Sequence, residues 1–526
     1  MKMKNILTIA AVLVIAIGFG SCKKDITLTP TSGVLISSYF TNQNDITASL
    51  AGIYSAFQEE TTGAGSANDE GYGGRYNYWG DVRGDAFTSS TFSTYSVIEM
   101  AHNTMEFSNS AADWSGLYKV ISRTNLAIQY YPQVQNTDPN VTPTILNNAL
   151  AQAYAMRAES YFYVVRVWGD APMWTTPYLD ITQSALKPRT KALTLVDSVI
   201  IPDLTKAYSL IQKGQTPTVW YVGEGAICSI LADVYMWRAS MTGGAGTADY
   251  QNAIVWYNKL FAAKGPTGAL YGTAGTPNLE TAANWKNLFI NPTQSAEPIW
   301  SIYWDYTVNG CACVPVFVGL SNNYVQLDAN FQATWKKQYK TDMRVAKSID
   351  TLSTLNHINL LYKYYNLTPN ATGITPVAGN LNFNVYLPMY RMGDVTLEYA
   401  EASAQTGDLA TALKYLNLIH VRAYGAAAAY TAAQLPTASA MIDAILQEDL
   451  YETLGEGKRF FQLIRTNRVH TIMDPILNLR NGVTDPITLI TTPATTGFID
   501  APNRYYWPVS QSALNANTLL KQNPGY

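Results

Sequence analysis

Two segments of the chain, 74–81 and 300–309, place flat aromatic rings beside amide and carboxylate groups. An aromatic face packs against apolar C–H groups, while amides and carboxylates exchange hydrogen bonds with hydroxyl groups. Together these side chains suit the non-covalent binding of a sugar, which offers both kinds of surface. The alternative is that the rings pack the two segments onto the rest of the protein. The candidate ligand-binding residues are Tyr76, Asn77, Tyr78, Trp79, Trp304, Tyr306, Asn309 and Tyr324.

Signatures of covalent catalysis and of metal binding are absent from the sequence. It has no nucleophile elbow, no P-loop and no zinc motif, and its four histidines are scattered. Cys311 and Cys313 enclose a single residue, so a disulfide between them would be strained. We therefore predict no metal site, no cofactor and no enzymatic activity, and the sequence leaves open whether calcium is bound. A glycoside hydrolase stays open as an alternative, because it needs only two carboxylates across a cleft and the chain has 38 acidic residues.

The first 22 residues have the pattern of a bacterial export signal. Lys2 and Lys4 precede an apolar run, which is followed by Gly20-Ser21-Cys22. This pattern predicts a secretory signal peptide over 1–21, and the run is shorter than the roughly 20 residues that span a bilayer. The small residues before Cys22 resemble a lipobox, which implies lipidation of Cys22 and a tether over 22–40. The alternative is an ordinary signal peptide that contains a cysteine.

Composition narrows the class of partner. The net charge is −3 and only 14% of the residues are charged, so the chain lacks the clustered basic surface that nucleic acid binding requires. It has 36 tyrosines and 12 tryptophans, whose apolar faces and polar tips suit hydrated binding surfaces. No second apolar stretch is long enough to span a membrane. We expect a soluble body that meets the membrane only through its lipid anchor.

Apolar and small side chains recur every three or four residues in several stretches, and this spacing predicts helices. The clearest pair is 395–405 and 409–422, joined by a turn at Gly407-Asp408. Small residues on one helix and large apolar residues on the other resemble a tetratricopeptide repeat. We expect three or four such pairs. The other predicted helices are 146–167, 193–212, 225–240 and 250–262.

Long inserts, 61–96, 270–339 and 360–387, separate the helix pairs. Loops of this length in a folded body are usually functional or disordered, and their aromatic content argues against disorder. We expect only short strands in them, at 299–303 and near 384–387. The predicted fold is therefore mainly α, with tetratricopeptide-like helix pairs forming a scaffold that carries long aromatic-rich loops and a few short strands.

Five stretches, in this order along the chain, resemble the SusD/RagB family of outer-membrane lipoproteins. The likeness covers essentially the whole mature chain, and the third stretch, AQAYAMRAESYFYVVRVWGDAPMW, resembles a characteristic helix and turn of the family. The five stretches are the lipobox with Cys22, an opening helix at 45–54, the helix and turn at 151–174, the two-part motif at 390–402 and 455–461, and the tail at 506–526.

The resemblance implies a fold and a function. It implies a SusD-like N-terminal region, 41–279, and a SusD/RagB C-terminal region, 280–526. Members of the family capture glycan or peptide for a SusC-like TonB-dependent transporter, and they bind glycan through aromatic residues in loops of the two regions considered above. We hypothesise that this chain is anchored in the outer membrane, exposed at the cell surface, and binds an oligosaccharide that it delivers to such a transporter. Trp79 and Trp304 are the strongest candidates for ligand contact.

Two further hypotheses remain at this point. Peptide is the alternative cargo, because the family includes peptide-uptake members. A scaffold is the alternative class of protein: its repeat helices would bind the transporter and its loops would bind nothing.

Charged residues inside the family motifs have a structural interpretation. Because an unpaired buried charge is costly, we expect the charges in these apolar helices to be paired with each other. Glu448-Asp449 stands where the family usually has Glu-Arg, which puts in doubt any ion pair made there. We also expect Trp507 and the end of the tail to dock on the body. The residues expected to be paired are Arg157, Glu159, Arg391, Asp394, Glu401, Glu456 and Arg459.

Overall fold

A computed structural model describes most of the chain outside its N-terminal segment. The predicted signal peptide and Cys22, as well as Cys311 and Cys313, lie outside the described residues. Residues 42–526 belong to one unit, and the contacts given below lie within it. No helix in the described ranges is both long and apolar enough to cross a bilayer. The described residues are 39–62, 74–180, 182–273, 275–309, 324–349, 361–364, 384–500 and 504–526.

Helices dominate the described part of the chain. The helices predicted from periodicity are present within a few residues of their predicted ends, except that the one predicted at 193–212 is divided into Ala192–Leu195, Val196–Ile200 and Ile201–Leu210. The longer helices are α1 (Gln43–Thr62), α2 (Tyr95–His102), α3 (Ser115–Val134), α4 (Pro143–Trp168), α5 (Ile201–Leu210), α6 (Glu224–Ser240), α7 (Thr247–Phe261), α8 (Ala329–Lys336), α9 (Met392–Gln405), α10 (Leu409–Tyr424), α11 (Ala438–Glu452), α12 (Arg459–Arg465), α13 (Val469–Arg480) and α14 (Gln511–Ala516). The shorter helical turns are Arg75–Asn77, Tyr78–Val82, Ser110–Ala112, Ala192–Leu195, Val196–Ile200, Asn287–Ile290, Pro292–Gln294, Tyr306–Asn309, Val345–Ser348 and Ala426–Ala428.

Helix α4 is central to the N-terminal half. The Thr142 hydroxyl accepts the backbone N–H of Ile145 at 3.3 Å, and Pro143 occupies the first turn, so the helix begins with an N-cap and a residue that needs no N–H partner. The helix ends at Gly169, whose φ of 74° suits glycine. Helices α3 and α5 pack against α4 and bury its small and apolar side chains. The two apolar faces seen in the sequence therefore meet other helices, as expected.

The helices pack as pairs that meet in space despite the inserts. Helix α3 packs against α1 and α4, α6 against α7, and α9 against α10. Helix α9 also contacts α7 and α11, so the pairs on both sides of the insert 270–339 form one scaffold. Gly407, with φ 86°, and Asp408, whose carboxylate accepts the Thr411 N–H at 3.0 Å, make the turn between α9 and α10. The tetratricopeptide-like arrangement is confirmed.

Within the described residues the strands are short and pair two by two, and every pair is antiparallel. The strands predicted at 299–303 and 384–387 are the two longest of these, and the mainly α fold class is confirmed. The pairs are β1 (Phe87–Ser89) with β7 (Val325–Leu327), β2 (Ala171–Pro172) with β3 (Arg189–Thr190), β4 (Gly272–Thr273) with β5 (Thr276–Pro277), β6 (Pro298–Trp304) with β8 (Val385–Arg391), and β9 (Val483–Thr484) with β10 (Thr491–Thr492).

A buried network of ion pairs joins β8 to the C-terminal helices. Arg391, the last residue of β8, bonds Glu452 at 2.7 Å and Glu456 at 2.9 Å. Glu452 also accepts hydrogen bonds from Arg344 at 3.2 Å and from Arg422 at 2.5 Å. Burial opposes ionisation of Glu452, but these three arginines lower its pKa well below the ordinary value of a glutamate. The network therefore remains charged although it is shielded from water.

The expectation that these charges pair with each other is confirmed only in part. Each has an oppositely charged neighbour, but neither Glu159 oxygen has a hydrogen-bond partner within the described residues, and burial raises the pKa of Glu159 to about 7. Arg391 and Glu456 form a pair within the expected set, whereas the other members find partners outside it. These other pairs are Arg157–Asp203 at 2.7 Å, Glu159–Arg166 at 3.9 Å, Asp394–Lys458, Glu401–Arg465 at 2.8 Å and Arg459–Asp85 at 2.7 Å.

Asp449, where the chain departs from the family pattern, makes no ion pair with any residue that the structure describes. It is fully buried on α11, and neither carboxylate oxygen has a hydrogen-bond partner within those residues. Burial raises the pKa of Asp449 well above the ordinary aspartate value, and the nearby charges of Asp394 and Glu401 raise it further. The folded chain therefore keeps the Asp449 proton to a higher pH than an exposed aspartate would.

The tail docks on the end of α4, as expected. The backbone N–H of Trp507 donates to the carbonyl of Val167 at 2.7 Å, and Trp507 is 1% exposed. The Asn523 amide donates to the carbonyls of Trp168, at 2.9 Å, and of Trp507, at 2.7 Å. These bonds satisfy carbonyl groups at the C-terminal end of the helix.

Asp449→Asn is expected to change how stability depends on pH. The folded chain retains the Asp449 proton to a higher pH than the unfolded chain, which ionises this side chain above about pH 4. Each pH unit above that value therefore lowers the free energy of unfolding of the wild type by at most about 1.4 kcal/mol, until the folded pKa is reached. The asparagine variant lacks this loss, so its stability relative to wild type should rise from pH 5 to pH 8. Urea and thermal unfolding at both pH values measure it.

Asp443→Asn is the matched control for this experiment. Asp443 lies on the same helix, its side chain is 58% exposed, and it pairs with Arg468 at 2.7 Å. Its variant should follow the pH dependence of the wild type, because exposed ion pairs contribute little. If Asp449→Asn also follows the wild type, Asp449 is not protonated in the fold.

Candidate functional site

The segment 74–81 lies in the core and not at the surface. Tyr76, Asn77, Tyr78 and Trp79 are 5%, 1%, 7% and 0% exposed. The Trp79 indole donates to the carbonyl of Ala111 at 3.3 Å, and its ring lies edge-to-face with that of Trp168, with 5.5 Å between centroids. The structure therefore corrects the prediction that this segment presents its ring faces to a ligand: packing of the insert onto the helices, the alternative interpretation, describes these four residues.

The last two residues of the same segment, Gly80 and Asp81, hold the turn that precedes α12 in place. The carboxylate of Asp81 accepts three backbone N–H groups, from Gly457 at 2.8 Å and from Lys458 and Arg459 at 3.1 Å. Burial raises the pKa of Asp81 to about 6, and the N–H groups oppose that rise. A methyl group on Gly80 would lie 1.7 Å from the carbonyl oxygen of Gly457, so the two backbones approach as closely as glycine allows. Segment 74–81 thus holds the start of α12.

The second predicted segment divides between core and surface. Trp304 is 4% exposed, so its predicted contact with ligand is corrected in the same way. Tyr306 and Asn309 belong to a short helical turn, but their side chains lie outside the described residues, and their contact with ligand stays a prediction. Tyr324 is half-buried, and its carbonyl accepts the Ser90 N–H at 3.3 Å just before β7 begins.

Three half-buried rings from separate parts of the chain form an aromatic platform: Trp220, Tyr303 and Tyr386. The ring centroids of Trp220 and Tyr303 are 4.9 Å apart, those of Trp220 and Tyr386 5.2 Å, and those of Tyr303 and Tyr386 5.3 Å. The largest angle between any two of the ring planes is 27°. The platform is therefore a nearly parallel group of rings at the protein surface.

The long strand pair positions two of these rings. Tyr303 on β6 lies directly opposite Tyr386 on β8. Every other residue of the two strands is buried, so these two side chains are where the strand pair reaches the surface. Trp220 comes from the loop before α6, which is fixed to β6 because the Ser301 N–H donates to the carbonyl of Val219 at 2.8 Å.

Polar groups line the edge of the platform. The Tyr303 hydroxyl donates to the carboxylate of Asp305 at 2.9 Å and accepts from the amide of Asn384 at 3.1 Å. Burial raises the pKa of Tyr303 to about 12, so its phenol stays neutral at physiological pH. Hydrogen bonds from Thr307 lower the pKa of Asp305, which therefore presents a carboxylate. The half-buried rings keep part of their apolar surface open to solvent, and the edge offers hydrogen-bond donors and acceptors.

Sequence reasoning named the right segment of β6 but the wrong residue. Side chains alternate between the two faces of a strand, so Trp304 shares a face with buried Trp300, and Tyr303 faces the other way. This alternation could have identified Tyr303. For Trp220 and Tyr386 the sequence has no comparable signal, because their position depends on contacts between elements far apart in the chain.

Metal ligation finds no support in the described part of the chain. Its residues contain no group of three histidine, cysteine, aspartate or glutamate side chains that could hold a metal ion. Cys228, which is buried, is not near such a group, and burial raises the pKa of its thiol above the ordinary value. The arrangement at the platform is suited to binding through surface contact and hydrogen bonds.

Two family models match consecutive parts of the chain. The model described as "SusD family" matches 297–526, and the model described as "Starch-binding associating with outer membrane" matches 41–236. SusD-like protein P38 from Formosa agariphila is 24% identical over the full length of both chains. A SusD-like protein from Bacteroides ovatus is 26% identical over 42% of this chain and 37% of its own.

Solved structures share the fold over nearly the whole chain. A SusD homolog from Bacteroides thetaiotaomicron superimposes with a TM-score of 0.70 at 17% identity, covering 93% of this chain and 98% of its own. B. fragilis NanU superimposes with a TM-score of 0.67 at 21% identity, covering 95% of this chain and 100% of its own. With the helical scaffold, the matched family models and these full-length relatives in agreement, the chain belongs to the SusD/RagB family.

Proposed function

We propose that this chain captures an oligosaccharide at the cell surface and delivers it, chemically unchanged, to a SusC-like TonB-dependent transporter in the outer membrane. The observation that carries the proposal is the aromatic platform of Trp220, Tyr303 and Tyr386. The description of one matched family model, which names starch binding and the outer membrane, supports both the class of ligand and the location.

The chemistry of the platform favours a saccharide. A pyranose ring has apolar C–H faces, and covering them with the half-buried rings removes apolar surface of both partners from water. The hydroxyls at the rim of the sugar then reach the carboxylate of Asp305 and the amide of Asn384, which lie beside Tyr303. The hydrogen bonds at the edge determine orientation, and the rings supply most of the contact area.

Delivery of the bound saccharide to the transporter depends on the lipid anchor and on contact with the transporter. In this proposal lipidated Cys22 holds the chain at the outer membrane, the helical scaffold contacts the transporter, and the platform presents the bound sugar. The chain acts as a binding protein and not as a hydrolase. Release of reducing sugar from a bound polysaccharide by the purified chain would instead support the hydrolase alternative.

Trp220→Ala is expected to weaken saccharide binding at least about tenfold, because removal of a central aromatic contact from a small site typically costs 2 kcal/mol or more. Native electrophoresis in gels that contain amylopectin, laminarin, xylan, galactomannan or pectin first identifies the polysaccharide that retards the wild type. Calorimetry with the corresponding oligosaccharides then measures the affinity. A peptide library in place of the gels tests the alternative cargo.

Trp256→Ala is the matched control. Trp256 is also half-buried and also contacts another ring, that of Tyr208 at 4.9 Å, but it lies on α7. Its variant should bind as the wild type does. If Trp220→Ala is retarded as strongly as the wild type in every polysaccharide gel, the platform is not the binding site. If no polysaccharide retards the wild type, the proposal of saccharide capture is contradicted.

Variants of Tyr303 are expected to separate stacking from hydrogen bonding. Tyr303→Phe keeps the ring but loses the hydroxyl that bridges Asp305 and Asn384, so we expect a loss of affinity of about threefold to tenfold, typical of one hydrogen bond. Tyr303→Ala also removes the ring and should weaken binding further. Equal affinities of the two variants, measured by calorimetry, would show that the ring face contributes nothing.

Cys22→Ser is expected to release the full-length chain from the membrane fraction and to abolish incorporation of radiolabelled palmitate. Several acyl chains on one cysteine anchor a protein stably. We expect no membrane-spanning helix in the mature chain that could take over this role when the acyl chains are missing. Lys23→Ala is the control and should remain in the membrane fraction. If the Cys22→Ser variant incorporates no palmitate but still remains in the membrane fraction, lipid anchoring at Cys22 is contradicted.

A further inference from the structure

A second aromatic groove, which we call the Trp174 groove, lies between the start of α3, the loop after β2 and helix α14. It consists of two adjoining cavities of about 520 and 200 Å³, and both are lined by Tyr118 and Trp174. Trp114 lines the larger cavity and Tyr178 the smaller one. Their combined size falls in the range of small-molecule sites.

Hydrogen bonds from behind hold these rings in place. The backbone N–H of Trp174 donates to the hydroxyl of Tyr161 at 2.6 Å, and the side-chain amide of Asn125 donates to the Trp174 carbonyl at 3.1 Å. The Tyr118 hydroxyl donates to the carbonyl of Pro172 at 2.6 Å. A groove whose rings are already ordered needs little rearrangement to accept a ligand, which favours binding.

Additional contacts determine the shape of the groove around Trp174. The ammonium group of Lys187 lies 4.1 Å from the centroid of the Trp174 ring, and the ring of Tyr178 meets Trp174 edge-on at 6.3 Å. Tyr178 is 42% exposed, so it forms an open wall of the groove. Trp174 itself is half-buried, and part of its surface therefore remains open to solvent.

The polar groups of the groove are mostly neutral. Ser115 and Asn517 border the larger cavity, together with the single carboxylate of Asp113, and Asn125 and Thr176 border the smaller one. Hydroxyl and amide groups among aromatic rings match the hydroxyls and C–H faces of a saccharide. A phosphate or an acidic peptide would need cationic partners. No arginine or lysine of the described residues lines either cavity, and the ammonium group of Lys187 beside them already contacts the Trp174 ring and the carbonyl of Met173.

A short chain of contacts connects the groove to the aromatic platform. The amide of Gln58 donates to the carbonyl of Tyr303 at 2.6 Å, next to the platform. The neighbouring residue, Glu59, pairs with Lys119 at 2.9 Å, and Lys119 directly follows Tyr118 of the groove. The C-terminal end of α1 therefore contacts both the strand that carries Tyr303 of the platform and the helix that carries Tyr118 of the groove.

We propose that the Trp174 groove is a second saccharide-binding site, which takes sugar residues of the same chain beyond those held at the platform. The proposal rests on the proposed function. Two sites that bind one ligand raise its overall affinity, because the second contact forms at a high effective concentration. Long oligosaccharides consequently bind more tightly than short ones, and only the long ones use the groove.

Calorimetry with oligosaccharides of two to ten sugar residues tests this, using the polysaccharide class that retards the wild type. Trp174→Ala and Tyr178→Ala are expected to weaken binding of the longest oligosaccharides about fivefold, while binding of the shortest stays within twofold of wild type. Trp220→Ala should weaken binding at every length. Trp256→Ala serves again as the control and should change neither the affinity for short oligosaccharides nor that for long ones. Tyr178→Ala decides the question if Trp174→Ala melts at a lower temperature, because the exposed Tyr178 contributes less to packing.

The outcomes separate this proposal from the proposed function. If Tyr178→Ala and a folded Trp174→Ala bind all lengths as the wild type does, while Trp220→Ala loses binding, the groove is not a saccharide site and the platform assignment stands. If both variants lose short and long oligosaccharides equally, the groove is not a separate site for longer chains. If no polysaccharide in the panel binds the wild type, both proposals fail.

Discussion

Burial of the Arg391 guanidinium constrains the structure around it. The side chain is 1% exposed, so anions must surround it, and Glu452 and Glu456 do so from α11 and from the turn that follows. The network also restricts the second residue after the strand: a methyl group on Gly393, in the first turn of α9, would lie 2.3 Å from the nearest guanidinium nitrogen of Arg391. Breaking such a network is costly because each remaining charge would stay buried without a partner. A strand, the start of a helix and a turn are thereby fixed together.

This fixed strand determines the geometry of the platform. Tyr386 lies on the same strand as Arg391, and its pairing with β6 sets it opposite Tyr303. The hydrogen bond between the Ser301 N–H and the Val219 carbonyl places Trp220 against both rings. The rings therefore hold their mutual positions without a ligand, and little conformational entropy is lost when a ligand binds.

The sequence predicted the scaffold well and the site only in outline, for a physical reason. Helix periodicity is local, and so α4, α9 and α10 could be predicted from spacing, as could the strand that contains Tyr303. Which rings are exposed depends on packing between distant elements. Trp79 looked like a surface residue because amide and carboxylate groups surround it in the sequence, yet the carboxylate of Asp81 bonds backbone N–H groups more than 370 residues away along the chain.

Packing of the tail on α4 has a consequence for how the chain matures. Asn523 bonds the carbonyl of Trp168, which lies 355 residues earlier in the sequence. While the polypeptide is being synthesised in the N-to-C direction, the end of α4 therefore remains uncovered until nearly all of the chain has been made. Contacts over such separations form slowly and leave apolar surface open to aggregation. A chain truncated before Trp507 would leave the end of α4 uncovered, and it should therefore aggregate more readily than the full-length chain.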